Sequence, residues 1–211
     1  MLDFYGATYI LKGMLSQREK PKQNTIMNTM RPLTEEEISQ MEMHLLCEYR
    51  RRNWGNPFNY NRAWERNQAQ LLGFTLTTVG GGSDGVSKDD PNVTAEFKAT
   101  QFKGYTKTGE EKSHSFSYNG TSRQSTLSEQ KTYCEKKVMR DKYHYWSMID
   151  YEKGIFVKTI KISNSELWKV LWPKWENSFH NPSAKDPRIG ASVSTNELNQ
   201  NNISYEVITH Q

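Results

Sequence analysis

Residues 83–100 read SDGVSKDDPNVTAEFKAT, and the fold turns on how this stretch doubles back. Asp89, Asp90, Pro91 and Asn92 are turn-forming residue types, with DGVS before them and VTAEFKATQF after them in strand-like pattern. Side chains two apart on a strand share a face, so Glu96 and Lys98 project together while Phe97 goes to the opposite side, where it can be buried. A turn centred near Asp90 pairs positions whose numbers sum to about 180, which sets Asp84 across from Glu96 with Cβ atoms roughly 4.5–5.5 Å apart. Two opposed carboxylates repel unless a cation lies between them. The glycines at 82 and 85 leave room for a phosphate backbone to approach Ser83 and Asp84. A hard cation that keeps several waters and takes few protein carboxylates is Mg²⁺. Asp89 and Asp90 are competing acids, although beside Pro91 they are also ordinary turn chemistry. The plainer account of Glu96 and Lys98 is a solvated strand face with an ion pair.

Outward from this hairpin, Thr34 followed by Glu37 forms a capping box, and a helix is expected over about 35–51. Its apolar stripe is Ile38, Met41, Leu45 and Cys47, and Arg50, Arg51 and Arg52 close it at the negative end of the helix dipole. Residues 1–33 read as a polar lead-in, and 34–211 as a single domain. A second helix is expected over about 61–72, and a strand over 74–79 runs into Gly80, Gly81 and Gly82. Residues 105–124 are polar with room for short strands, and a helix follows over about 125–139. Strands are expected at 143–149 and 155–162 around a YEKG turn, then a short helix over 165–172 ended by Pro173. The remainder reads as loop-rich, with a strand at SVST. Helices and strands in this order predict an α+β fold with a mixed sheet flanked by helices.

Hydrophobic residues make up 35% of the 211 and mean hydropathy is -0.88, a balance suited to a protein that grips something polar. No stretch approaches a membrane span and the N-terminus lacks the pattern of a signal peptide, so a cytoplasmic protein without a membrane partner is expected. Cys47 and Cys134 read as reduced thiols, and the five histidines are too scattered for a zinc array. Between 101 and 142 nine Lys and Arg face five acids, an excess of four that equals the net charge of the whole chain. Such a run is equally a solvated helix face, until neighbouring chemistry favours a polyanion.

The pair Asp84 and Glu96-Phe97-Lys98, with a helix containing Glu65 before it and a basic helix after it, resembles the PD-(D/E)xK nuclease superfamily. The usual proline before the acid is Ser83 here. Within that class AWERNQAQLLGFTLTTVGGGSDG is most similar to type II restriction endonucleases. The resemblance implies a restriction-endonuclease-like αβββαβ core over roughly 61–162 and Mg²⁺ held by Asp84, Glu96 and the Phe97 carbonyl. It also implies a Lys98 that positions the attacking water and helps deprotonate it. Glu65 would then lie near the metal, although an exposed helix position suits it as well. The implied partner is double-stranded DNA, cut by a homodimer with no nucleotide cofactor. Lys103, Lys131, Lys136, Lys137 and Arg140 would grip its backbone, with Gln101 as a further contact. The polar 177–196 stretch, with Lys185 and Arg188, would read bases. A repair, junction-resolving or homing nuclease would share the same site, and a DNA-binding protein without hydrolysis would use the basic region alone.

Overall fold

A computed structural model describes residues 32–58, 60–78, 82–182 and 188–210. Most of the expected lead-in and Lys185 therefore lie outside the described residues. The chain divides into two compact units, 1–39 and 40–211. In the first, the capping box forms as expected: the Glu37 amide donates to Thr34 Oγ1 (3.3 Å) and the Thr34 amide to Glu37 Oε2 (2.9 Å). Helix α1 starts there and spans Glu35–Arg51. Its stripe does not face a core: Ile38, Met41 and Leu45 are 42%, 59% and 40% exposed, and Tyr49 is the buried side chain of α1.

In the second unit, α2 (Tyr60–Leu71) precedes β1 (Phe74–Leu76), β2 (Gly85–Ser87) and β3 (Thr94–Gln101). After β4 (Ser115–Thr121) come α3 (Leu127–Met139), β5 (Tyr143–Asp150) and β6 (Ile155–Ser163). The chain then forms α4 (Asn164–His180), β7 (Ile189–Ser194), α5 (Thr195–Gln200) and β8 (Tyr205–Thr209). Six strands form a mixed sheet in the order β1-β2-β3-β5-β6-β8, with β3 and β5 parallel and the other neighbours antiparallel. Strands β4 and β7 form a separate antiparallel pair. The α+β class and the mixed sheet agree with the sequence reading.

Several elements differ from it. Strand β1 stops at Leu76, three residues short of the predicted end. Pro173 does not end α4, which runs through it to His180. A proline inside a helix removes one hydrogen bond, but Leu167, Val170, Leu171 and Trp175 are buried along this helix, and packing on both sides of the proline holds it together. The supposed loop region beyond it contains β7, whose pairing with β4 spans some 75 residues, and α5, closed by a Ser194–Glu197 capping box.

The sheet alternates as a doubly covered layer should. On one face Trp146, Met148, Ile160 and Ile162 pack with Phe116, Leu167, Leu171 and Trp175. On the other, Phe97 lies against Phe74 and Tyr145 at ring separations of 5.6 and 6.0 Å. A Cβ on Gly85 would come within 2.8 Å of the Phe97 ring, so only glycine lets β2 lie this close to β3.

Candidate active site

The β2–β3 ladder pairs Gly85 with Ala95 and Val86 with Thr94, the predicted register. One step further, the Asp84 amide donates to the Ala95 carbonyl (3.0 Å). The Asp84 carboxylate then replaces the ladder: its Oδ2 accepts the Phe97 amide at 2.8 Å. Asp84 therefore sits at the end of β2, where that strand leaves β3. Asp89 and Asp90 lie exposed in the turn, where Ser87 Oγ accepts both their amides and Asp90 Oδ1 accepts that of Asn92 (3.0 Å).

Beyond Asp84, the edge of β3 borders a cavity of about 470 Å³. Helix α2 supplies one wall through Trp64, Glu65 and Gln68, β4 another through Ser115 and Ser117, and Lys98 lies between them. Gln68 is buried and donates to the Lys98 carbonyl (3.0 Å) and to Ser147 Oγ (2.8 Å), which fixes α2 on the strand beside Glu96 and Lys98.

On the other face Glu96 is paired with Lys98 through Oε1 and with Arg140 Nη2 through Oε2 at 3.1 Å. Burial pushes the Asp84 carboxyl up to about 7; the charges of Glu96 and Glu65 add to this, while Lys98 and the Phe97 amide oppose it. Burial acts on Glu96 in the same sense, but Lys98, His144 and Arg140 outweigh it and hold that carboxyl below its usual range. Lys98 is raised: burial would lower it, and Glu96 and Asp84 more than offset that.

A buried polar cluster supports the lysine. Parallel pairing sets His144 beside Glu96 and Trp146 beside Lys98. Nε2 of His144 faces the Val138 carbonyl (3.2 Å), so it carries the proton; Nδ1 then accepts from Tyr118 Oη (3.1 Å), which itself accepts from Trp146 Nε1 (2.8 Å). The Lys98 ammonium lies 5.4 Å from the centre of the Tyr118 ring. Sequence reasoning missed Gln68, Tyr118 and His144. Gln68 had a signal, since it lies one helical turn after Glu65; the others depend on the β3–β5 and β4 packing.

The predicted DNA contacts divide. Lys136, Lys137 and Arg140 line one surface cavity of about 630 Å³ on α3, with Tyr133 and Met139. Lys131 lies over the Trp172 ring at 5.7 Å. Gln101 is exposed at the end of β3 but on Phe97's face, and at about 3.3 Å per residue it is roughly 16 Å along the strand from Glu96. Lys103 is exposed beyond it, its amide bound to His114 Nε2 (3.0 Å), and Arg188 is exposed just before β7.

Among the described residues no three His, Cys, Asp or Glu side chains are gathered so as to hold a metal ion. The donor set that is present, two carboxylates on adjoining strands with Glu65 near enough to raise Asp84, fits a cation that keeps most of its waters. No helix among the described residues is long and apolar enough to cross a membrane. Searched against protein-family models and curated proteins, the chain matches none.

Proposed function

We propose that the chain is a Mg²⁺-dependent endonuclease that hydrolyses phosphodiester bonds in double-stranded DNA, of the type II restriction kind, on a restriction-endonuclease-like core. The observation that carries this reading is the seating of Asp84 against the Phe97 amide, one register step from Glu96 and Lys98, at the edge of a polar cavity. The order α2, β1, β2, β3, α3, β5 supports the core, with β4 as an addition outside the main sheet.

Asp84, Glu96 and the Phe97 carbonyl would hold Mg²⁺, which when bound neutralises charge developing on the scissile phosphate. Asp84 Oδ2 stays with the Phe97 amide and leaves Oδ1 as the oxygen that faces a cation. Glu96 and Asp84 favour the charged form of Lys98 in the metal-free protein, and that ammonium would donate hydrogen bonds to the attacking water and to a phosphate oxygen. It would orient the water, whose proton would pass to solvent as it attacks. Lys136 and Lys137 on α3 would meet the DNA backbone.

Incubating the full chain with plasmids of known sequence, first with Mg²⁺ and then with EDTA, tests the reading. Discrete fragments that vanish with EDTA are expected. Plasmid left intact over a range of DNAs in Mg²⁺ would sink it.

A further inference from the structure

Both oxygens of Glu96 carry a charged partner, Oε1 Lys98 and Oε2 Arg140, so a cation that binds either oxygen competes with a cationic side chain already there. Lys98 is the less free: its side chain is 25% exposed and it answers to Asp84 as well as Glu96. The Arg140 side chain is 36% exposed and has a second anchor. Its Nε donates to Oδ2 of Asp141 (3.0 Å) and its Nη2 lies 2.9 Å from the same oxygen; the Asp141 side chain is fully buried. The other oxygen, Asp141 Oδ1, is also buried and accepts no hydrogen bond. An unpaired buried carboxylate oxygen is costly, and guanidinium and carboxylate prefer a fork in which both oxygens are used. Here both Arg140 contacts to Asp141 fall on Oδ2, while Nη2 donates to Glu96.

We infer that Arg140 is a resident counter-cation for Glu96: a divalent cation entering beside Asp84 takes Oε2 from the guanidinium, which turns onto the free oxygen of Asp141. The backbone of Arg140 stays put, because its amide donates to the Lys136 carbonyl (3.2 Å) and its carbonyl accepts Thr94 Oγ1 (3.2 Å). The Arg140 side chain packs against residue 82, a glycine at φ +100° where a Cβ would stand 3.4 Å from Arg140 Cδ. The arginine thus keeps two carboxylates apart from each other's charge without metal, and withdraws to a prepared partner with it. The inference rests on the metal reading of Asp84 and Glu96.

Mn²⁺ binding to the DNA-free full chain, followed by the electron paramagnetic resonance of free Mn²⁺, separates the two. Arg140→Ala and the longer, uncharged Arg140→Gln should each bind Mn²⁺ about tenfold more tightly than the original chain, since the ion no longer displaces a charged hydrogen bond. Lys136→Ala, which removes the same charge without touching Glu96, should change affinity by less than about twofold at 0.15 M salt. Arginine variants that bind Mn²⁺ no better than Lys136→Ala would overturn the inference while leaving the metal site standing. A Glu96→Gln chain that binds Mn²⁺ as well as the original would remove both.

Discussion

At Lys98, burial works against the ammonium while Glu96 and Asp84 work for it, and the balance leaves the group charged through neutral pH. Lys98→Ala should lower the rate of plasmid cutting by about 10²–10³ or more, as loss of one preorganised donor does. DNA affinity measured by fluorescence anisotropy should survive the change, because the lysine is recessed between Glu96 and the Tyr118 ring. Asp84 gives a pH signature of its own. Its folded-state value of about 7 lies above the ordinary 3.8, so the folded state holds the proton more tightly than the unfolded one. The stability this confers is fully present below about 3.8 and is lost as pH rises through about 7. Urea titrations in EDTA should show that decline, and Asp84→Asn should flatten it; an equal slope in both chains would contradict the burial of this carboxyl. The trio Asp84, Glu96 and Lys98 was legible in the sequence because a two-residue period and one turn suffice to set it. His144 and Tyr118 were not, since nothing local to either residue reveals which strand lies next to Glu96.

Helix α3 joins two functions. Its buried side carries Cys134 and Val138 into the core and its outer side presents Lys136, while Lys137 is half-buried with its Nζ donating to Thr121 Oγ1 (3.5 Å). The Thr126–Glu129 capping box fixes where it begins and hence where Arg140 ends it. Replacing Lys136 or Lys137 by Ala should weaken DNA binding evenly across sequences and reduce the slope of log affinity against log salt by about 1 each. A salt slope unmoved by either change would take α3 out of the interface. The helix was readable from its period, as were β5 and β6 with their turn. Helix α4 was misread because a proline stop rule is local, whereas the burial that overrides it comes from β5, β7 and α3. The strand at the C-terminal side was readable as SVST, but its partner was not: β4 lies some 75 residues earlier in a stretch too polar to announce itself.

At the scale of the whole molecule, residues 40–211 place the reactive cluster at the side of the sheet where β2 parts from β3, beside the cavity walled by α2 and β4. On the proposed reading, the Asp84–Glu96–Lys98 cluster would engage one phosphodiester at a time. Cutting both strands of a palindrome then calls for a two-fold pair of chains. Supercoiled plasmid should pass directly to linear DNA if two copies act together; accumulation of nicked circles before linear product would show single copies acting in turn. The class of the fold was legible from element order, but the strand order was not, because the separate β4–β7 pair interrupts the path from β3 to β5.

The bond from the Phe97 amide to Asp84 Oδ2 also makes the chain its own reporter. A strand amide ordinarily exchanges its hydrogen for deuterium at a rate set by the opening of the ladder. This one is held by a side chain, so its exchange follows what that carboxylate is doing, and isotope uptake at a single backbone position becomes a record of how firmly Asp84 is seated.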